Sequence, residues 1–178
     1  GFQQSGFQVI LGVDNSEIAL KTFEKNHKGS KTLNLDLHKG SSINKIIKAK
    51  GENRIDVIIA GPPCQGFSLT GTRKENDERN TLFNAVFELS KKLNPQAIII
   101  ENVQGILNLY KGKAKKEILE LCEENGYNCS TKLLYAPEFG VPQIRKRVFF
   151  VALKKDLGIF EFPEPTHKSI DFIGTKEA

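Results

Sequence analysis

The chain contains no methionine and no tryptophan, and its 178 residues include only three cysteines and three histidines. An odd, sparse set of thiols (Cys64, Cys122 and Cys129) argues against a disulfide framework of the kind that staples small secreted folds. The thiols also lack the paired CxxC spacing of a structural zinc site, and His27, His38 and His167 are scattered, so no metal is expected. No apolar run approaches the ~20 residues that span a bilayer, and no charged-then-apolar leader opens the chain. A cytoplasmic location without a membrane partner is the expectation. There is no GxGxxG and no GxxxxGK[ST], so neither a dinucleotide nor a nucleoside triphosphate is indicated. Residue 1 is Gly, and with no Met present a start further upstream is expected.

What is present suits one globular domain with a sizeable core: hydrophobic residues make up 39% and charged residues 26%. The net charge of +5 permits a polyanionic partner without demanding one.

Short apolar runs alternate with helical periods. Residues 9–13 read as a buried strand ending at Asp14. Residues 16–26 read as a helix with Ile18, Ala19, Thr22 and Phe23 on one face and Asp14 or Asn15 as its cap. A weaker strand at 31–35 and a short helix at 43–50, stopped by Gly51, follow. Residues 57–60 form a strand cut off by Gly61, Pro62 and Pro63, after which a polar loop runs to about Asn80. Residues 81–93 are an amphipathic helix with Leu82, Val86, Leu89 and Leu93 in register and Phe83 and Phe87 beside them. A strongly apolar strand at 97–100 ends at Glu101. A helix at 114–125 aligns Ala114, Ile118, Leu121 and Cys122, and two more strands fall near 129–135 and 147–153. Beyond Gly158 no period is evident. Strands alternating with helices imply an α/β domain with a mostly parallel sheet, whose ligands sit beyond the strands' carboxyl ends. Asp14, the loop from Gly61 to Ser68, and Glu101 all fall at such ends.

Each of these places carries two readings. In Gly61-Pro62-Pro63-Cys64-Gln65-Gly66-Phe67-Ser68, two prolines stiffen the backbone ahead of a cysteine and two glycines allow close approach. That suits a nucleophile, and equally a structural thiol in a turn. Glu101 follows an apolar run, where a carboxylate needs a partner or a task, or simply emerges at a strand end. In Gln143-Ile144-Arg145-Lys146-Arg147, alternation turns Gln143, Arg145 and Arg147 to one side. Three planar donors suit a flat polar target or an anion, and equally a solvated edge strand. Asp14 is placed to bind a ribose hydroxyl pair or to cap the next helix.

Taken together, these segments resemble the cytosine-5 DNA methyltransferase family, from about Gly1 to about Pro165. Pro63-Cys64-Gln65 is similar to its nucleophile loop, Glu101-Asn102-Val103 to its Glu-Asn-Val element, and Gln143-Ile144-Arg145-Lys146-Arg147 to its Gln-x-Arg-x-Arg element. Asp77-Glu78-Arg79-Asn80-Thr81-Leu82-Phe83 resembles the segment between the first two, with Asn80 where the family often has Gly. The resemblance implies a Rossmann-like S-adenosylmethionine-dependent methyltransferase fold with helices on both faces of the sheet. It implies transfer of a methyl group to carbon 5 of a flipped-out cytosine in double-stranded DNA, in a restriction-modification system. Cys64 would be the nucleophile, Glu101 would steady the ring, and Arg145 would hold its carbonyl oxygen and help position Cys64, with Arg147 supporting. Asp14, Asp36, Pro63 and Leu82 would hold the methyl donor.

The polar stretch from Gly66 to Asn80 would close over the substrate. The family's opening Asp-x-Phe-x-Gly-x-Gly segment and its later target-recognition region are not seen. A catalytic domain over 1–165, a linker or tail over 166–178 and a monomer are therefore expected. Competing readings are a transfer-RNA cytosine methyltransferase of the same family, an inactive scaffold of the same fold, and a cysteine hydrolase, which would need a histidine beside Cys64.

Overall fold

The computed structural model describes residues 1–63 and 81–174. The chain divides into two compact units, Gly1–Ile55 and Asp56–Ala178. The loop expected to close over a substrate lies outside the described residues.

The first unit is a parallel pair of strands with a helix crossover. Strand β1 (Leu11–Asp14) leads to α1 (Glu17–Asn26), β2 (Lys31–Asn34) and α2 (Ser41–Lys50). Leu11 stands opposite Lys31 and Asp14 opposite Asn34, so both strands end at the same level. Parallel pairing needs a long return path, which α1 supplies.

The cap of α1 is Ser16 rather than Asp14 or Asn15. Its Oγ accepts from the Ala19 N–H at 3.3 Å, while Asp14 Oδ1 accepts from the Ser16 N–H at 2.7 Å. A capping oxygen reaches the free amide three residues on, which from Ser16 is that of Ala19. The buried face also differs from expectation. Leu20 is buried and Phe23 partly so, whereas Ile18 is 80% exposed. The Phe23 ring lies against Gly12, where a Cβ would sit 2.6 Å from it, and stacks on His27 at 4.1 Å. That contact sets the rotation of the helix and turns Ile18 away.

The second unit holds β3 (Val57–Ala60), α3 (Thr81–Leu93), β4 (Ala97–Val103), α4 (Lys113–Glu124), β5 (Tyr127–Tyr135) and β6 (Lys146–Lys154). The strand order is β3-β4-β6-β5. β3 and β4 are parallel, and β6 runs antiparallel to both β4 and β5. Three of the four strands therefore share one direction, with the reversed β6 between two of them. Ile98 and Ile100 of β4 and Val148 and Phe150 of β6 form the core with Phe83, Val86 and Phe87 of α3 and Ile118 and Cys122 of α4. The face of α3 centres on Phe83, Phe87 and Ser90; Leu82, Leu89 and Leu93 are only partly buried. Asn94, at φ 51°, ends α3, and its N–H donates to the Ser90 carbonyl at 2.7 Å.

Strand β4 extends beyond its apolar run, so Glu101 lies inside it rather than past its end. Pairing with β6 continues to Val103 opposite Arg147 and holds the polar end extended. After β6, residues 158–172 travel beside the outer edge of β5 in the same direction. Asn128 Nδ2 donates to the Gly158 carbonyl at 2.9 Å and Ser130 Oγ to the Phe160 carbonyl at 2.7 Å. Tyr135 meets Phe172 edge to face at 5.8 Å. A covered edge resists pairing with other chains.

The buried Tyr127 hydroxyl donates to the Pro95 carbonyl at 2.9 Å, tying the start of β5 to the turn before β4. Tyr127→Phe is expected to lower stability by about 1–3 kcal/mol, because the Pro95 carbonyl loses its buried donor. Urea unfolding of the two proteins checks this; equal midpoints would contradict it.

Candidate catalytic site

Alternation along β4 turns Ile98, Ile100 and Asn102 toward one face and Ile99, Glu101 and Val103 toward the other. On β6, Arg147 stands opposite Val103, which makes it the diagonal same-face neighbour of Glu101. Arg145 lies two residues further back, just before β6 begins. The result is a convergent cluster. Arg147 Nε lies 3.0 Å and Arg145 Nη2 3.2 Å from the same oxygen, Glu101 Oε1. Oε2 carries no hydrogen bond among the described residues.

Side-chain exposures of 31% for Glu101, 42% for Arg145 and 26% for Arg147 leave these pairs partly screened by solvent. Pairs of this kind contribute at most about 1 kcal/mol each, so their main effect is to fix the carboxylate's direction. These three side chains line an open hollow of about 310 Å³ whose other walls are Gly61, Pro62, Pro63, Asn102 and Val103.

On the opposite face of β4, Asn102 is buried. Its Nδ2 donates to the Pro62 carbonyl at 2.8 Å, and its Oδ1 accepts from the Val103 N–H at 2.9 Å. One amide side chain thus anchors the Gly61-Pro62-Pro63 turn to the strand that carries Glu101. Sequence reasoning assigned Asn102 no task. The signal was nevertheless there: an amide occupies the third inward position of a strand whose other two are isoleucines.

Of the residues expected at a site, the second unit brings Glu101, Arg145, Arg147 and Pro63 together. Cys64 lies outside the described residues, joined by one peptide bond to Pro63 of the hollow's wall. Gln143 does not line the hollow. It precedes β6 in a turn where its N–H donates to the Val141 carbonyl at 2.7 Å, so strand alternation does not extend to it. Leu82 is half-buried in the first turn of α3.

In the first unit, Asp14 and Asp36 both fall at the carboxyl ends of paired parallel strands. Each carboxylate is oriented by the backbone N–H two residues on, Ser16 to Asp14 at 2.7 Å and His38 to Asp36 at 3.0 Å. Carboxylates beyond parallel strand ends are suited to hydroxyl and amine donors of a nucleoside.

The two remaining thiols do not suit nucleophilic work at the hollow. Cys122 is buried, and its hydrogen bond to Cys129 together with burial pushes its thiol up, which keeps it protonated. Cys129 stands opposite Ala152, whereas Leu134 stands opposite Arg147. Five strand positions place Cys129 roughly 17 Å along the sheet from that level. Among the described residues lining the hollow there is no histidine, the base that a cysteine hydrolase would need beside Cys64. Among the described residues, no three His, Cys, Asp or Glu gather as a metal group would require, and no helix is long and apolar enough to cross a membrane.

A solved structure of a prophage-encoded protein of E. coli, assigned as a DNA modification methyltransferase, superposes with a TM-score of 0.75 at 29% identity. The match covers 99% of this chain and 49% of that one. The fold is the Rossmann-like α/β fold of S-adenosylmethionine-dependent methyltransferases.

The family model for C-5 cytosine-specific DNA methylases matches residues 1–176. Type II methyltransferase M.FnuDI of Fusobacterium nucleatum is 39% identical over 168 residues, covering 93% of this chain and 46% of that protein. Type II methyltransferase M1.HphI of Haemophilus parahaemolyticus is 36% identical over 177 residues, covering 98% and 47%. The chain belongs to the C-5 cytosine-specific DNA methylase family, and it spans about half the length of these relatives.

Asn102→Ala leaves the Pro62 carbonyl and the Val103 N–H without their buried partner. A loss of about 1–3 kcal/mol in denaturant unfolding is expected. An unchanged midpoint would show that the turn does not depend on this amide.

Proposed function

We propose that the protein transfers a methyl group from S-adenosylmethionine to carbon 5 of a cytosine in double-stranded DNA, as part of a restriction-modification system. The observation that carries this reading is the Glu101 carboxylate, fixed through Oε1 by two guanidiniums with no hydrogen bond to Oε2 among the described residues, in a hollow whose wall includes Pro63, the residue before Cys64.

Carbon 5 of cytosine is a poor nucleophile, and carbon 6 is hidden inside a duplex. The base therefore swings out of the stack into the hollow. The Cys64 sulfur, as the thiolate, bonds to carbon 6, and the electron pair of the carbon 5–carbon 6 double bond shifts to carbon 5. Charge builds on the ring at nitrogen 3, where a proton shared between that nitrogen and the Glu101 carboxyl neutralises it, while the exocyclic amine donates to Glu101. Arg145 holds the carbonyl oxygen of the base, and Arg147 keeps Glu101 in place. S-adenosylmethionine supplies an electrophilic methyl group. Once carbon 5 is methylated, its proton leaves to a base, the carbon 5–carbon 6 double bond re-forms and the Cys64 sulfur departs. Asp14 suits the ribose hydroxyls of the donor and Asp36 its adenine amine, with Pro63 and Leu82 against the adenosine. Residues 1–165 are the catalytic domain in this reading and residues 166–178 the start of a linker or tail, whose first two residues still hold the Glu138–Gly140 turn.

Duplex DNA containing 5-fluorocytosine tests the reading, because fluorine at carbon 5 cannot leave as a proton and the sulfur stays bonded. The full-length protein with S-adenosylmethionine is expected to give a denaturant-resistant complex that Cys64→Ser abolishes. Glu101→Gln is expected to lower methyl transfer by about 10²–10³-fold, while stability shifts by no more than about 2 kcal/mol, one for each of its two ion pairs. Absence of the complex, or transfer to transfer RNA in place of DNA, would overturn the assignment.

A further inference from the structure

The segment that runs beside β5 ends in a specific grip on the turn between β5 and β6. The backbone N–H groups of Thr166 and His167 both donate to the Glu138 carbonyl, at 2.9 and 3.0 Å, and Thr166 Oγ1 donates to the same oxygen at 3.3 Å. The His167 imidazole lies on Gly140, which has a φ of +74°. A Cβ at Gly140 would stand 2.9 Å from the ring's Cε1 and 3.4 Å from its Nε2. Thr166 Oγ1 lies 2.8 Å from His167 Nδ1 and fixes the ring's orientation.

The gripped turn leads straight to the site. The Ala136 N–H donates to the Arg145 carbonyl at 2.9 Å and the Val141 N–H to the Ala136 carbonyl at 3.2 Å. These bonds close the loop whose crown is Glu138–Gly140 and whose base is Arg145. Residues 141–145 belong to no strand, and the sheet holds Arg145 only at its carbonyl, through the Ala136 N–H. Its guanidinium reaches Glu101 from a loop that Thr166 and His167 pin at the far end.

We propose that Thr166 and His167 are positioning residues, a clamp on the Glu138–Gly140 turn that keeps Arg145 on Glu101 Oε1. The proposal rests on the reading of Glu101 and Arg145 as the groups that hold the cytosine. A released turn lets Arg145 leave Glu101, and displacements on the scale of an ångström lower turnover by roughly 10²-fold. His167 acts by covering Gly140, so a flat apolar ring serves in its place.

The test uses the full-length protein and the variants His167→Ala, His167→Phe and Thr166→Pro, the last of which removes one of the clamping N–H donors. The readouts are kcat for methyl transfer to duplex DNA, KM for S-adenosylmethionine, and folded fraction by circular dichroism. His167→Ala and Thr166→Pro are expected to lower kcat by roughly 10–100-fold per folded molecule with KM for S-adenosylmethionine unchanged, and His167→Phe to retain most of it. Gly140→Ala should behave like His167→Ala, and the double variant Gly140→Ala/His167→Ala should be no worse than Gly140→Ala alone. Unchanged kcat in His167→Ala and Thr166→Pro, or a fall that disappears on normalising to folded protein, overturns the clamp and leaves the functional reading intact. A wild-type protein that neither transfers methyl groups nor forms the 5-fluorocytosine complex overturns both.

Discussion

Two guanidinium groups meeting on one carboxylate oxygen give the second unit its chemical direction. Arg145 and Arg147 both reach Glu101 Oε1, and the carboxylate is thereby held with its other oxygen toward the hollow. An unrestrained glutamate rotates about three torsions and presents no defined hydrogen-bonding edge. A clamped one is arranged in advance for a flat, polar ring, and such preorganisation counts for most where charge develops during reaction. The ion pairs matter less for stability, since all three side chains keep contact with solvent.

The sheet's register produces this convergence. β6 is reversed relative to both of its neighbours, so its first residues arrive at the end of the sheet where β3 and β4 finish. The Gly61-Pro62-Pro63 turn emerges at the same end, and the buried Asn102 ties it there from the opposite face of β4. One strand thus performs two tasks by alternation: inward, Ile98, Ile100 and Asn102 pack and anchor; outward, Glu101 faces the hollow. The segment beyond β6 returns along β5 to the loop that carries Arg145, so β4, that loop, β6 and the segment after it all contribute to orienting one carboxylate.

Much of this was legible in the sequence because the signals were local. The bounds of β3 and α3 follow from a four-residue apolar run and a helical period ended by a residue before proline. Glu101, Arg145 and Arg147 stand out by their positions and by resemblance, and the fold brings them together. What escaped depended on residues far away in the chain. The polar end of β4 is a strand only because β6 pairs with it, 44 or more positions later. The buried face of α1 is set by Gly12 meeting Phe23, and its cap by the amide geometry of Ser16. The tail beyond Gly158 has no hydrophobic period because it is held by side chains reaching its carbonyls, a pattern that no periodicity encodes.

The central claim is that an extrahelical cytosine lies against Glu101 with its ring nitrogen and amine on that carboxylate. A crystal structure of the full-length protein on a duplex containing 5-fluorocytosine, with the methyl donor present, tests it most directly. The account predicts the base out of the stack, its carbon 6 bonded to the Cys64 sulfur, and nitrogen 3 within about 3 Å of a Glu101 oxygen. A cytosine still stacked in the duplex, or one bound with Glu101 turned away from its edge, would contradict it.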